Sequence, residues 1–241
     1  MNSVLQDLKK VSWCIYLQKT GLLFLLEKCY NRPMIITYLG QQFFKIQQGN
    51  LVVALNPISK DSKFAGKVSR FGADIALSTT NHPDYNGLDM VSHGETIPII
   101  INGPGDYEVK EIFIKGIATE TILGKKKYIN TIYTLQIENI SICLLGALSL
   151  KSFSEETQEE IDTVDILFAP IGNGDLLTPT EAYKLGVKLD AKIIIPMEYD
   201  EKSLKTFLKE GGQENIKPME KLTIKAKELS GREGEIIVLE C

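Results

Sequence analysis

The sequence is rich in carboxylates and poor in imidazoles, so its two histidines bound the chemistry it can do. His82 lies in Thr79-Thr80-Asn81-His82-Pro83-Asp84-Tyr85-Asn86-Gly87, two residues before Asp84. An imidazole and a carboxylate that close suit proton transfer beside a bound substrate. They suit loop building too, because Asn, Asp, Pro and Gly form turns and short polar side chains satisfy backbone amides. His93, in Val91-Ser92-His93-Gly94-Glu95, reads as a solvent-facing turn residue. Two histidines cannot furnish a His-rich two-metal centre in any fold. Gly172-Asn173-Gly174-Asp175 precedes a helix and resembles a phosphate cradle, yet Asp175 and Glu181 would repel an anion there. Lys125-Lys126-Lys127 lacks aromatic interleaving and reads as a solvated hairpin tip. Cys14, Cys29, Cys143 and Cys241 form no C-x-x-C pair and no disulfide framework, which fits reduced, cytoplasmic chemistry.

Such side chains need elements to position them. The chain has 241 residues, 44% hydrophobic, enough for one sizeable domain with a proper core and too apolar for disorder. A net charge of −4 gives no basic footprint, so nucleic acid and anionic membranes are not expected partners. Nothing in the sequence sets an oligomeric state.

Residues 1–33 read as an appended helical segment. Val4, Leu8, Val11 and Ile15 sit at helical spacing, and Arg32-Pro33 ends the pattern. Its longest clean apolar run, Gly21–Leu26, is far short of the roughly 20 residues that cross a bilayer. Met34 opens the first strand and is a second candidate start.

From Met34 the pattern takes the two-residue period of strands. Ile35–Leu39, Phe43–Gln47, Leu51–Leu55, Asp74–Thr79, Ile97–Ile101, Ile112–Ile117, Lys127–Ile137 and Ser141–Leu145 predict an antiparallel meander. Afterwards strand and helix alternate. Val164–Ile171 and Ala191–Pro196 are continuous apolar runs, as expected of strands buried on both faces. Thr178-Pro179-Thr180-Glu181 is a capping box opening one helix, and Asp200 caps another ending at Gly211-Gly212. Glu235–Glu240 closes the domain of residues 34–241. Chemistry in such folds sits on loops leaving strand ends. The candidates are Gly40-Gln41-Gln42, Thr79–Gly87, Gly146–Leu148, Pro196–Asp200 and the rigid-looking Gly103-Pro104-Gly105-Asp106-Tyr107-Glu108.

These loops, in this order, resemble the metallo-β-lactamase fold superfamily, in particular Zn-dependent hydrolases similar to ascorbate-6-phosphate lactonase. Ile36-Thr37-Tyr38-Leu39-Gly40 resembles that branch's first strand, and Gly103–Val109 its Gly-Pro-Gly-acid-Tyr-Glu-Val segment. Val164–Gly172, Thr178–Leu185 and Ile193–Tyr199 match its second half. The resemblance covers Met34 to about Cys241 and implies a mixed α/β (α+β) fold, a four-layer αββα sandwich.

The family's His-x-His-x-Asp-His motif, a later His, a bridging Asp and a last His hold one or two zinc ions. Carried over by resemblance, Thr80 stands for the first His, and His82 and Asp84 match the second His and the Asp. Tyr85 replaces the adjacent His, Leu144 the later His, Ala147 the bridging Asp and Glu198 the last His. Gln41 stands where the branch often has another His. The resemblance thus implies the fold without an ordinary dizinc centre, with any activity centred on His82, Asp84 and Glu198. Gln41, Thr80, Asn81, Tyr85, Asp106, Tyr107 and Glu108 are the expected cleft lining.

Three readings of His82, Asp84 and Glu198 stay open. They can build the loop; they can hold a single Zn, Mn or Fe ion as one nitrogen and two carboxylates; or they can do metal-free acid–base work. No cofactor is expected beyond that single divalent metal. The expected partner is a small-molecule ligand, and the rival to a hydrolase-like protein is a non-enzymatic binding or scaffold protein on the same fold.

Overall fold

The computed structural model describes residues 32–66, 71–149, 153–172 and 174–241; the helical segment expected over residues 1–33 lies outside them except for Arg32 and Pro33. Strand periodicity builds the opening. β1 (Met34–Tyr38) and β2 (Phe44–Gln48) bury every second side chain and pair antiparallel, Ile36 opposite Ile46. Gly49, in the left-handed region, helps turn the chain into β3 (Leu51–Leu55), antiparallel to β2.

The meander stops there. β4 (Ile75–Leu77) and β5 (Ile99–Ile101) extend the sheet parallel to β3, which corrects the antiparallel expectation for this half. A hairpin loop can only reverse the chain, whereas residues 56–74 and 78–98 are long enough to carry it back to the same end. The second of these connections holds a 3₁₀ turn, Leu88–Val91.

β6 (Gly105–Val109), β7 (Ile112–Leu123), β8 (Lys126–Ile137) and β9 (Ile140–Leu144) are antiparallel neighbours. β6 occupies the stretch expected as a rigid loop. Its Gly and Pro flank argues against a strand, but pairing with β7, Asp106 opposite Lys115, supplies the ladder. The remainder alternates as expected: α1 (Glu155–Ile161), β10 (Ile166–Pro170), α2 (Pro179–Lys188), β11 (Ile193–Met197) and α3 (Glu201–Glu210). β12 (Lys221–Ile224), which the sequence pattern does not announce, adds antiparallel to β1, and β13 (Glu235–Ile236) is parallel to β11.

The sheets run β12-β1-β2-β3-β4-β5 and β13-β11-β10-β9-β8-β7-β6. Face to face they bury Ile36, Phe44, Leu77, Tyr133, Leu144, Phe168 and Met197. Leu185 of α2 and Phe207 of α3 pack on Leu167 and Ile194, on the outer face of the second sheet. Among the described residues, the outer face of the first sheet is covered by the 3₁₀ turn and its flanking loops, through Ile58, Ala73 and Val91 on Ala54 and Ala76. The architecture is the two-sheet sandwich expected of the metallo-β-lactamase fold, and it brings the loops after β4, β9, β10 and β11 together.

Candidate functional site

The loop after β4 is held from within. Ser78 Oγ donates to the Thr80 carbonyl, and the His82 and Tyr85 amides donate to the carbonyls of Thr80 and His82. The Ser59 and Gly87 amides donate to the carbonyls of Pro83 and Pro57, clamping the loop to residues 57–62. A Cβ on Gly87 would lie 2.3 Å from the Ile58 carbonyl, so only glycine allows that approach.

His82 and Asp84 come together as a loop pair. His82 Nδ1 accepts the Asp84 amide at 3.3 Å and lies 3.6 Å from Asp84 Oδ2, while Asp84 Oδ1 accepts the Ser62 hydroxyl. The Tyr85 and Tyr128 rings flank the imidazole, each with its centroid 5.7 Å away.

Glu198 follows β11 and stands apart from that pair. It takes a left-handed φ of 52°, its amide donates to the Gln41 carbonyl, and a Cβ on Gly172 would lie 2.6 Å from its own carbonyl oxygen. Two residues on, Asp200 caps α3 through the Ser203 amide. The Glu198 carboxylate accepts Gln42 Nε2 at 2.7 Å and the Tyr85 hydroxyl at 2.9 and 3.1 Å. Gln42 Oε1 accepts Asn56 Nδ2, and Asn56 Oδ1 accepts the Thr79 amide. One chain of hydrogen bonds thus links β11, the loop after β1 and the ends of β3 and β4.

Burial pushes the Glu198 carboxyl above the ordinary carboxylate range; the bonds from Gln42 and Tyr85 counter it, Asp84 adds to it and Lys63 opposes it. Burial, and then the facing Glu198 charge, push the Tyr85 phenol up as well, so Tyr85 stays the donor. Its ring is 2% exposed and packs with Ala147, Leu176 and Leu123.

Thr80 turns inward. Its hydroxyl donates to Asn130 Oδ1, which also accepts the Ala147 amide, while Asn130 Nδ2 donates to the Leu145 carbonyl and to Thr119 Oγ1. Gly146 makes room: a Cβ there would meet Asn130 Oδ1 and Thr79 Cβ at 2.5 Å. Leu144 belongs to the core between the sheets, apart from Tyr85 and Ala147. Gln41 contributes a carbonyl that also accepts the Tyr38 hydroxyl. Asn81 is exposed, and its Oδ1 accepts Asn86 Nδ2. Asp106, Tyr107 and Glu108 lie on edge strand β6, Asp106 and Glu108 exposed and the Tyr107 hydroxyl donating to the Gly103 carbonyl.

Of the polar residues that tie these loops together, Gln42 lies in a candidate loop without a role of its own, and Asn56, Ser62 and Asn130 are absent from the sequence-based candidates. Their only signal is a polar side chain interrupting an apolar run, as Asn56 does after Leu51–Leu55. Among the described residues no group of three or more His, Cys, Asp or Glu side chains is placed to hold a metal ion. The Glu198 oxygens face Tyr85 and Gln42, while His82 accepts the Asp84 amide and Asp84 accepts the Ser62 hydroxyl.

The model of the Beta-lactamase superfamily domain matches residues 35–198, more than half of the chain. The chain is 25% identical over 197 residues to a UPF0173 metal-dependent hydrolase of Listeria welshimeri, covering 69% of this chain and 86% of that protein. Among solved structures, a Thermotoga maritima protein assigned to the Zn-dependent hydrolases of the metallo-β-lactamase superfamily superposes with a TM-score of 0.67 and 25% identity, over 86% of this chain and 98% of that one. A Parabacteroides distasonis protein assigned as a metal-dependent hydrolase gives 0.58 at 14% identity, over 86% and 94%, a likeness of fold. The match running from Ile35 in β1 to Glu198 at the pocket, the chain belongs to the beta-lactamase superfamily domain family.

Proposed function

We propose that this is a hydrolase-fold protein of the branch similar to ascorbate-6-phosphate lactonase that does not carry out dizinc hydrolysis. Its relatives' names speak for metal-dependent hydrolysis. Against it stands one observation: the Tyr85 hydroxyl and Gln42 amide occupy the Glu198 carboxylate, and the Tyr85 ring is itself packed by Ala147 and Leu176. A ligating carboxylate would have to give up both donors, and Tyr85 would lose its partner in an apolar setting. The partly exposed pair His82 and Asp84 is the accessible chemistry left, suited to binding or proton transfer on a small-molecule ligand at that loop. The cytoplasm is the compartment we propose, a reading supported by cysteine spacing that offers no disulfide framework; no helix among the described residues is long and apolar enough to cross a membrane.

Metal analysis of protein purified without chelator tests this reading. Less than about a tenth of an equivalent of Zn, Mn or Fe is expected, because the Glu198 oxygens that would complete a ligand set already accept from Gln42 and Tyr85. Turnover of activated esters or phosphodiesters, if any, should not respond to added metal or chelator. One equivalent of metal that disappears in Asp84→Ala or Glu198→Gln would establish the single-metal reading instead.

A further inference from the structure

Each sheet has two edges, and three of the four carry charge: Asp106 and Glu108 on β6, Lys221 on β12, Glu235 on β13. Charged side chains on an edge keep other strands from adding to it. β5 lacks them. From Thr96 to Gly105 the sequence Thr-Ile-Pro-Ile-Ile-Ile-Asn-Gly-Pro-Gly contains no ionisable side chain. Ile97, Ile99 and Ile100 are 78%, 46% and 51% exposed on this edge.

The backbone there is available too. The Ile99 amide donates to the Asp74 carbonyl and the Ile101 carbonyl accepts the Ser78 amide, so the odd-numbered residues bond to β4. Strand alternation then directs the N–H and C=O of Ile100, and the N–H of Asn102, away from the sheet. An uncharged, isoleucine-rich edge with outward-facing donors and acceptors is a template for another strand.

We infer that β5 pairs antiparallel with β5 of a second copy of this chain, joining the two six-stranded sheets across a two-fold axis. Antiparallel pairing of identical strands is self-complementary, as a closed dimer requires. The register that matches the isoleucines centres on Ile100: each Ile100 amide donates to the other copy's Ile100 carbonyl, and each Asn102 amide to the other copy's Pro98 carbonyl. Pro98 has no N–H to return, which confines the ladder to this short stretch. Charge favours the same face, since two chains of net charge −4 approach with least repulsion where neither presents a charge. Three partly exposed isoleucines and one short strand cover less than the ~800 Å² each partner contributes to a standard interface. The dimer is therefore concentration-dependent, with a dissociation constant on the order of 10–100 µM.

Sedimentation equilibrium of the full chain over about 5–500 µM, a range bracketing that constant, reads this directly. Wild type should pass from monomer to dimer. Ile100→Lys, which puts a charge on the edge, and Asn102→Pro, which removes the pairing donor without adding a charge, should each weaken the dimer at least tenfold. Ile129→Lys, at an isoleucine 65% exposed on β8, should leave it unchanged. Circular dichroism confirms that each variant is folded, and the two edge variants fail independently if either does not fold. A wild type that stays monomeric throughout the range leaves the edge to a strand of another protein and overturns the inference. A dimer indifferent to both edge variants, or an open-ended polymer, overturns it as well.

Discussion

Glu198 is the residue on which the pocket turns, and its environment makes two outcomes measurable. Tyr85→Phe deletes a hydroxyl whose role is to donate to the carboxylate. It leaves a partly buried acceptor with one donor fewer, a loss of about 1–3 kcal/mol in urea unfolding. The pH response follows from the raised Glu198 value. Between its ordinary value of 4.5 and its higher value in the fold, the native state holds a proton that the unfolded state has released. Stability from this group is therefore greatest below 4.5 and falls as pH rises through the folded value. Glu198→Gln removes that slope, so the stability difference, variant minus wild type, should grow as pH rises from about 4 to 7. A difference that is flat with pH would show that Glu198 is not raised. His82 and Asp84 were legible in the sequence because turn chemistry and motif spacing are local. The bond from Gln42 to Glu198 was not, because the two lie 156 residues apart and no pattern along the chain records that contact.

The same division holds for elements. Strands β1, β2, β3 and β10 follow from alternation or from continuous apolar runs, since burial of one or both faces is written into neighbouring residues. The parallel pairing of β3, β4 and β5 depends on where long connections return, and β6 exists because β7 offers it a partner. Neither cause is local. The β7–β8 hairpin shows what such pairing does for the pocket. Its strands run Ile112–Leu123 and Lys126–Ile137, long enough to set Tyr128 beside His82 and Leu123 beside Tyr85. Asn130 fastens it, joining β8 to Thr80 in the loop after β4 and to the Leu145–Ala147 loop. Asn130→Ala would leave the Ala147 amide and Leu145 carbonyl buried without this partner, at a cost of about 2–4 kcal/mol. The urea midpoint should fall with its slope unchanged, because compactness is retained. A shift below about 0.5 kcal/mol, the size of an ordinary surface substitution, would mean that the hairpin is fastened elsewhere.

At the scale of the molecule, the sandwich hides its ionisable groups poorly in one respect: it is acidic overall and presents charge on every sheet edge but β5. Two copies carrying −4 each repel at separations comparable with the screening length, about 10 Å at 0.1 M salt and about 30 Å at 0.01 M. The contact itself holds no ion pair for salt to weaken, because Thr96–Gly105 is uncharged. Screening therefore acts only on the repulsion between the remaining surfaces, and apolar burial is, if anything, strengthened by sulfate or phosphate. Dimerisation through β5 should tighten as salt rises, severalfold between about 0.01 and 0.3 M. Charge-paired interfaces behave oppositely, loosening as their attraction is screened. Sedimentation at three ionic strengths distinguishes the two: association that weakens with salt would assign the contact to charged edges such as β6 or β12, and association that strengthens, together with its loss in Ile100→Lys, assigns it to the isoleucines of β5.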